Sequence, residues 1–82
     1  MTYSPEKLTE KIKSVILDLI PIDEDKLLDN SDIFNLGLDS INAMTLVFNL
    51  QDTFSIKFEV LEIDVENFRS VKDISKLIRS KL

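Results

Sequence analysis

Apolar residues recur at helical spacing in three separate stretches, and these set the expected elements. In the first, Leu8, Ile12, Val15, Ile16 and Leu19 share one face, while Lys7, Glu10, Lys11, Lys13 and Ser14 take the others. Ser4 suits a cap and Pro5 the first helical position, so a helix is predicted over roughly residues 5–20, stopping before Pro21. Met1, Thr2 and Tyr3 are expected to lie loose in front of it. In the second stretch, Ala43, Leu46, Val47, Leu50 and Phe54 fall on one face of a helix over about residues 40–54. Asn42, Thr45, Asn49, Asp52 and Thr53 form its wet face. Ile41, Met44 and Phe48 add an apolar flank between the two, wider than a simple amphipathic helix requires. A neighbouring helix or loop is expected to cover Met44, whereas Ile41 and Phe48 border polar positions and suit a docking patch. The third stretch places Val71, Ile74, Leu77, Ile78 and Leu82 on a core face. Ser70 and Asp73 stand at capping-box-like spacing at its start, and Lys76, Arg79 and Lys81 suit its negative end.

The connections are less regular. Residues 21–38 form a long loop rich in Asp and Asn, a kind of segment that is uncommon in small domains and often functional. Leu27, Leu28, Ile33, Phe34, Leu36 and Leu38 are expected to pin it to the core, with a short helical turn near Ser31–Asn35. Ile56, Phe58 and Val60 alternate as in a strand, but no second strand offers a partner. An extended connection is therefore expected, followed by a short helix somewhere in residues 59–68 with Asp64 capping its last turn. The fold class is all-α: a small four-helix bundle of three main helices and a short third one, in a single domain over residues 1–82. Leu46, Leu50 and Phe54 are expected to be buried against the first and last helices.

Composition removes several chemistries. The 82 residues include no cysteine and no histidine, so disulfides, Cys/His zinc sites, cysteine nucleophiles and Ser-His-Asp triads are all absent. Asp23, Glu24 and Asp25 resemble a fragment of a calcium loop, but the other ligands and the mid-loop glycine are missing, and no metal site is expected. No apolar run approaches a membrane span and no signal-peptide pattern opens the chain, so a cytoplasmic protein is expected. Net charge is −5, unevenly spread: residues 23–66 hold eleven acids against Lys26 and Lys57, whereas residues 67–82 hold five bases against Asp73. An anionic middle disfavours nucleic acid and favours a basic protein partner.

The candidate site lies where the only glycine, Gly37, precedes Leu38, Asp39 and Ser40. Asp39 is a good N-cap, since its carboxylate can accept from free amides of the first helical turn. Ser40 then takes the first helical position, where exposed amides and the positive end of the dipole favour a phosphate. Asp-Ser before an apolar helix is a common structural cap. With Leu36, Gly37, Leu38 and Ile41 around it, and with this size, acidity and helix order, the chain resembles the acyl carrier protein family over essentially its whole length.

The resemblance implies that Ser40 carries 4′-phosphopantetheine, attached by a separate phosphopantetheinyl transferase, with no catalytic side chain of the protein's own. The arm's thiol would hold acyl, aminoacyl or polyketide chains as thioesters for loading ligases, synthases and transferases. Asp39 matches the acidic residue that in the family assists the magnesium-dependent transfer, and Gly37 matches the turn residue. Ile41, Met44 and Phe48 match partner-contacting positions, and Asp52 is the one further acid on that helix. Asn42, Thr45, Gln51 and Thr53 stand where fatty-acid-type carriers commonly have acids, so the second helix is closer to carriers of polyketide and nonribosomal peptide systems. A monomer is expected. Two other classes make different demands. A cofactor-free helical interaction module would use the Ile41/Phe48 flank and show an unmodified mass. A nucleic-acid-binding module would need a basic recognition helix, and residues 40–54 contain no Lys or Arg.

Overall fold

The computed structural model describes residues 3–82. Ser4 accepts the Lys7 amide at 3.2 Å and Pro5 opens the first helix, α1 (Pro5–Leu17), so its start lies where the sequence pattern places it. Its end comes earlier than residue 20. The Asp18 amide bonds back to Ser14 and Ile16, the Leu19 and Ile20 amides both reach the Ile16 carbonyl, and this tightened turn buries Ile20. Leu8, Ile12, Val15 and Ile16 are buried, while Leu19 is only partly so. Tyr3 is not loose: its ring meets Phe54 edge-on at 5.3 Å between centroids, and Lys11 Nζ lies 5.9 Å from it. Met1 and Thr2, the other residues expected to be loose, lie outside the described residues.

The second helix, α2 (Ser40–Phe54), buries Leu46, Val47, Leu50 and Phe54, with Ala43 packed at the edge of the core. It stops at Ser55, a non-glycine residue in the left-handed region at φ 55°, and the Ile56 amide closes back on Gln51 at 3.1 Å. The third helix, α3 (Val71–Arg79), starts on Ser70, whose hydroxyl accepts the Asp73 amide and donates to the Asp73 carboxylate. Val71, Ile74 and Ile78 are buried, whereas Leu82 lies beyond the helix end and is exposed, against expectation. α1 packs on both α2 and α3 and so forms the centre of the bundle.

The short helix expected in residues 59–68 is replaced by two single turns of 3₁₀ helix, Val60–Glu62 and Glu66–Phe68. Phe58 and Phe68 explain the difference. Both are buried and their rings stack edge-on 5.2 Å apart, so the segment between them must double back. A continuous helix over those ten residues would separate its ends by about 15 Å. The first turn closes on itself through a reciprocal Glu59/Glu62 capping box. Asp64 accepts the Asn67 amide at 2.8 Å, the capping role expected of it, here on the second turn.

The long loop is pinned by buried Leu27, Ile33 and Leu38, with Phe34 and Leu36 partly covered. Leu28 is exposed rather than anchoring, and its amide donates to the Ser31 hydroxyl at 3.1 Å. A 3₁₀ turn at Glu24–Lys26, not foreseen, starts the loop. The expected turn near Ser31–Asn35 runs over residues 33–37 instead, organised by Asp32, whose carboxylate accepts the Phe34 amide at 3.0 Å. Among the described residues no helix is long and apolar enough to cross a membrane.

Lys81, just past α3, reaches the Val60–Glu62 turn through a 2.7 Å contact with Glu62. The Lys81 ammonium, with the Glu59 amide behind it, holds the Glu62 carboxyl below the usual glutamate range. A depressed carboxyl contributes stability above its unfolded-state pKa and loses it as pH falls through the folded one. Lys81→Met is therefore expected to be less stable than the parent at neutral pH, with the difference shrinking on acidification. Urea unfolding of both proteins across a pH series measures this, and a difference constant into strong acid would show the pair to be inert.

Candidate functional site

Ser40 is delivered by a turn closed by backbone bonds among residues 32–38. The Leu36 amide donates to the Asp32 carbonyl, Gly37 to Phe34, and Leu38 to Ile33 at 3.1 Å. Gly37 has φ +118°, a region that side chains other than glycine rarely adopt, and no atom would crowd a Cβ there. Backbone conformation rather than space therefore requires the glycine. Leu38 is buried, which anchors the chain one residue before the cap. Asp39 Oδ1 then accepts the Asn42 amide at 2.8 Å and its carbonyl accepts the Ala43 amide at 2.8 Å, completing the N-cap.

Ser40 is exposed at the mouth of α2. Its hydroxyl makes no hydrogen bond among the described residues, and the Ser40 and Ile41 amides likewise find no acceptor there. A nucleophilic oxygen, two free N–H groups and the positive end of a 15-residue helix thus converge at one exposed point. Beside it opens a cleft of about 210 Å³. Ala43, Met44 and Val47 of α2 form one wall, and Phe34, Ile63, Val65 and Phe68 the rest. Ser40 lies at its edge, and Asp64 is the only charged residue lining it.

The sequence-predicted docking residues fall on one stripe of α2, at spacings of three, four and four residues from Ile41 through Met44 and Phe48 to Asp52. Ile41 is 77% exposed and Phe48 57% exposed, as expected of a patch. Met44 is 44% exposed; it borders the cleft and is not covered by another element, contrary to the sequence-based reading. Asp52 is exposed about 16 Å further along the axis than Ile41, so it belongs to the far end of the stripe. The other side of the cleft was not legible beforehand. Val65 lines it and is exposed just before the second short turn, and Val60 and Leu61 are exposed on the first turn, outside the cleft's lining. The only sequence signal for them was an apolar run, Val60, Leu61, Ile63 and Val65, without helical period.

The family of phosphopantetheine attachment sites matches residues 10–78 of this chain. The acyl carrier protein of Chlamydia trachomatis serovar D is 33% identical over 75 residues, covering 90% of this chain and 95% of its own length. This chain belongs to the acyl carrier protein family. The Thermotoga maritima acyl carrier protein is 30% identical over 80 residues, or 96% of each chain. The acyl carrier protein of Enterococcus faecalis has a similar structure, with a TM-score of 0.77 over 98% of this chain and all of that one at 25% identity. A chain in the crystal structure of engineered Bradyrhizobium japonicum glycine:[carrier protein] ligase, complexed with carrier protein from Agrobacterium tumefaciens and ATP, shares the fold. It matches with a TM-score of 0.83 and 21% identity over 89% of this chain and 97% of that one.

As an acyl carrier protein, the molecule is a carrier rather than an enzyme, and its cofactor is 4′-phosphopantetheine. The exposed hydroxyl and free amides at the helix mouth fit a phosphodiester, and the cleft alongside is lined mainly by apolar residues.

Phe48 and Phe54 lie on different faces of α2, about 120° apart, and their exposures predict unequal costs. Phe54→Ala is expected to lower stability by about 3–5 kcal/mol, because it empties a core position and removes the Tyr3 contact. Phe48→Ala is expected to change it by well under about 1 kcal/mol. Thermal and urea unfolding of the two variants makes the comparison, and a comparable loss for Phe48→Ala would move that ring from the docking patch into the core.

Proposed function

We propose that Ser40 is the attachment residue for 4′-phosphopantetheine and that residues 1–82 act as one carrier domain. The observation that carries this reading is the exposed Ser40 hydroxyl at the capped mouth of α2, on the edge of an apolar cleft. In this reading the Ser40 oxygen attacks the phosphorus that bears the pantetheine arm in coenzyme A. The pyrophosphate bond breaks with adenosine 3′,5′-bisphosphate as leaving group, and the serine proton passes to the transferase. Asp39 holds the first turn in place and presents its second carboxylate oxygen toward solvent, where a transferase-bound magnesium ion could meet it. The arm's terminal thiol holds the cargo as a thioester, chemistry that no side chain of this cysteine-free chain could supply.

The partners are a phosphopantetheinyl transferase and enzymes that load, extend or unload the thioester; the carrier works as a cytoplasmic monomer. The pathway is fatty acid, polyketide or nonribosomal peptide type biosynthesis, with the second helix closer to the polyketide and nonribosomal peptide carriers. Support comes from α2, where Asn42, Thr45, Gln51 and Thr53 leave Asp52 as the only acid within the helix. Loading by an aminoacyl ligase is in keeping with the fold shared with the chain from the glycine:[carrier protein] ligase complex.

Incubation with coenzyme A and a broad-specificity phosphopantetheinyl transferase is expected to add one phosphopantetheine by intact mass, and Ser40→Ala is expected to abolish the addition with the fold retained by circular dichroism. Addition that persists in Ser40→Ala and maps to Ser31 or Ser70 would overturn the attachment site.

Recognition is expected to run through the apolar stripe. Any enzyme acting at the arm's base must approach Ile41, Met44 and Phe48, all exposed next to Ser40, whereas Asp52 lies at the remote end. Phe48→Ala should therefore slow loading by the cognate enzyme more than Asp52→Asn does. Loading rates at several salt concentrations decide it: a larger Asp52→Asn effect that fades with salt would make the interface electrostatic.

A further inference from the structure

The turn that presents Ser40 is tied to a residue 37 positions away in sequence. Arg69 Nη1 donates to Asp32 Oδ2 at 3.3 Å, and Nη2 donates to Glu66 Oε1 at 2.7 Å. The other Asp32 oxygen accepts the Phe34 amide at 3.0 Å and the Asn35 amide at 3.4 Å. The Asp32 carboxylate is thus divided: one oxygen templates the backbone of the 32–38 turn and the other is held by the guanidinium. The main chain repeats the tie, because the Ile33 amide donates to the Arg69 carbonyl at 2.9 Å and the Ile33 carbonyl accepts the Leu38 amide. From Leu38 only Asp39, the helix cap, stands before Ser40. The same Arg69 follows Phe68, a lining residue of the cleft beside Ser40.

Two features argue that this contact orients the turn rather than merely adding stability. Arg69 is 43% exposed on its side chain, and ion pairs at such sites stabilise little. A planar guanidinium shared between two carboxylates nevertheless fixes both in angle as well as distance. Asp32 in turn has no freedom to rotate without losing either its backbone bonds or Arg69.

We propose that Arg69 is a positioning residue for modification of Ser40: by holding the Asp32 carboxylate it sets the 32–38 turn, and through it the direction in which the Ser40 hydroxyl is offered to the transferase. This rests on Ser40 being the attachment residue. Arg69 makes no hydrogen bond to the Ser40 hydroxyl and is not itself a lining residue of the cleft, and the apolar stripe on α2 is formed without it. Loss of Arg69 therefore leaves docking intact and impairs the transfer step within the docked pair.

The test is steady-state phosphopantetheine transfer from coenzyme A to the full-length carrier, followed by intact mass, well below the unfolding temperature of every variant. Arg69→Met is expected to lower kcat about tenfold while KM for the carrier stays near the parent value, since small displacements of a reacting group cost rate steeply. Arg69→Lys, which keeps one donor for Asp32, should recover part of the loss. Asp32→Ala, which also removes the bonds to the Phe34 and Asn35 amides, should be at least as slow as Arg69→Met, and the double variant should be no slower than Asp32→Ala, because the Arg69 tie is already lost there. Ile78→Val, which trims the buried core of α3 away from the cleft, is the control for stability alone and should keep the parent kcat. Parental kcat in Arg69→Met, or an equal fall in kcat in Ile78→Val, overturns the positioning role while leaving Ser40 as the attachment residue. An unmodified parent, or a parent modified at another serine, overturns the attachment reading and the positioning role with it.

Discussion

The apolar stripe of α1 is the surface that both other helices need. Leu8, Ile12, Val15 and Ile16 are buried, and α2 and α3 each pack against α1. Neither stripe of α2 or α3 could be buried without it, and helices of 15 and 9 residues are marginal in water on their own. Once α1 is in place, Leu46, Leu50 and Phe54 fix the rotation of α2 about its axis. That rotation leaves Ile41, Met44 and Phe48 outside, in line with Ser40. The exposed stripe is thus a geometric by-product of which residues of α2 must face α1.

The long loop contributes as much to the site as the helix does. It has no regular structure beyond single turns, yet its path is fixed by buried Leu27, Ile33 and Leu38 and by polar ties to the segment before α3. The Ile33 amide reaches Arg69, the Asp29 carbonyl accepts the Lys72 amide at 2.8 Å, and Lys13 of α1 meets Asp29 at 3.0 Å. A loop tied once to α1, once to α3 and once to the segment before α3 behaves as part of the scaffold. The serine it delivers is therefore placed by the whole bundle rather than by its own neighbours alone.

What was legible in the sequence was local. Ser4, Asp39 and Ser70 each cap a helix within three residues, and the three apolar periods gave the helices and most of the core. Ser40 at the first turn of α2, Gly37 in a positive-φ turn and the exposed Ile41/Phe48 flank all followed from such short-range rules. What was not legible depends on contacts between distant residues. The stacking of Phe58 on Phe68 turned an expected helix into two turns, and Tyr3 was drawn onto Phe54. The Arg69–Asp32 tie has no sequence signature at all, since either residue alone reads as surface charge. Leu28, Met44 and Leu82 were assigned to the interior or to cover because they are apolar, and each is exposed because nothing packs over its position.

The replacement of a helix by two short turns has a mechanical consequence. One wall of the cleft beside Ser40 is α2, whose backbone is braced by a full ladder of intrahelical bonds. The opposing wall, Ile63 to Val65, hangs between two turns with only a few backbone bonds of their own, secured by Glu62–Lys81 on one side and Phe68 on the other. Segments with so few backbone bonds open at a small fraction of the free energy of global unfolding. The cleft is accordingly braced on one side by a continuous helix and on the other only by short turns and side-chain contacts, so its far wall is the less constrained of the two.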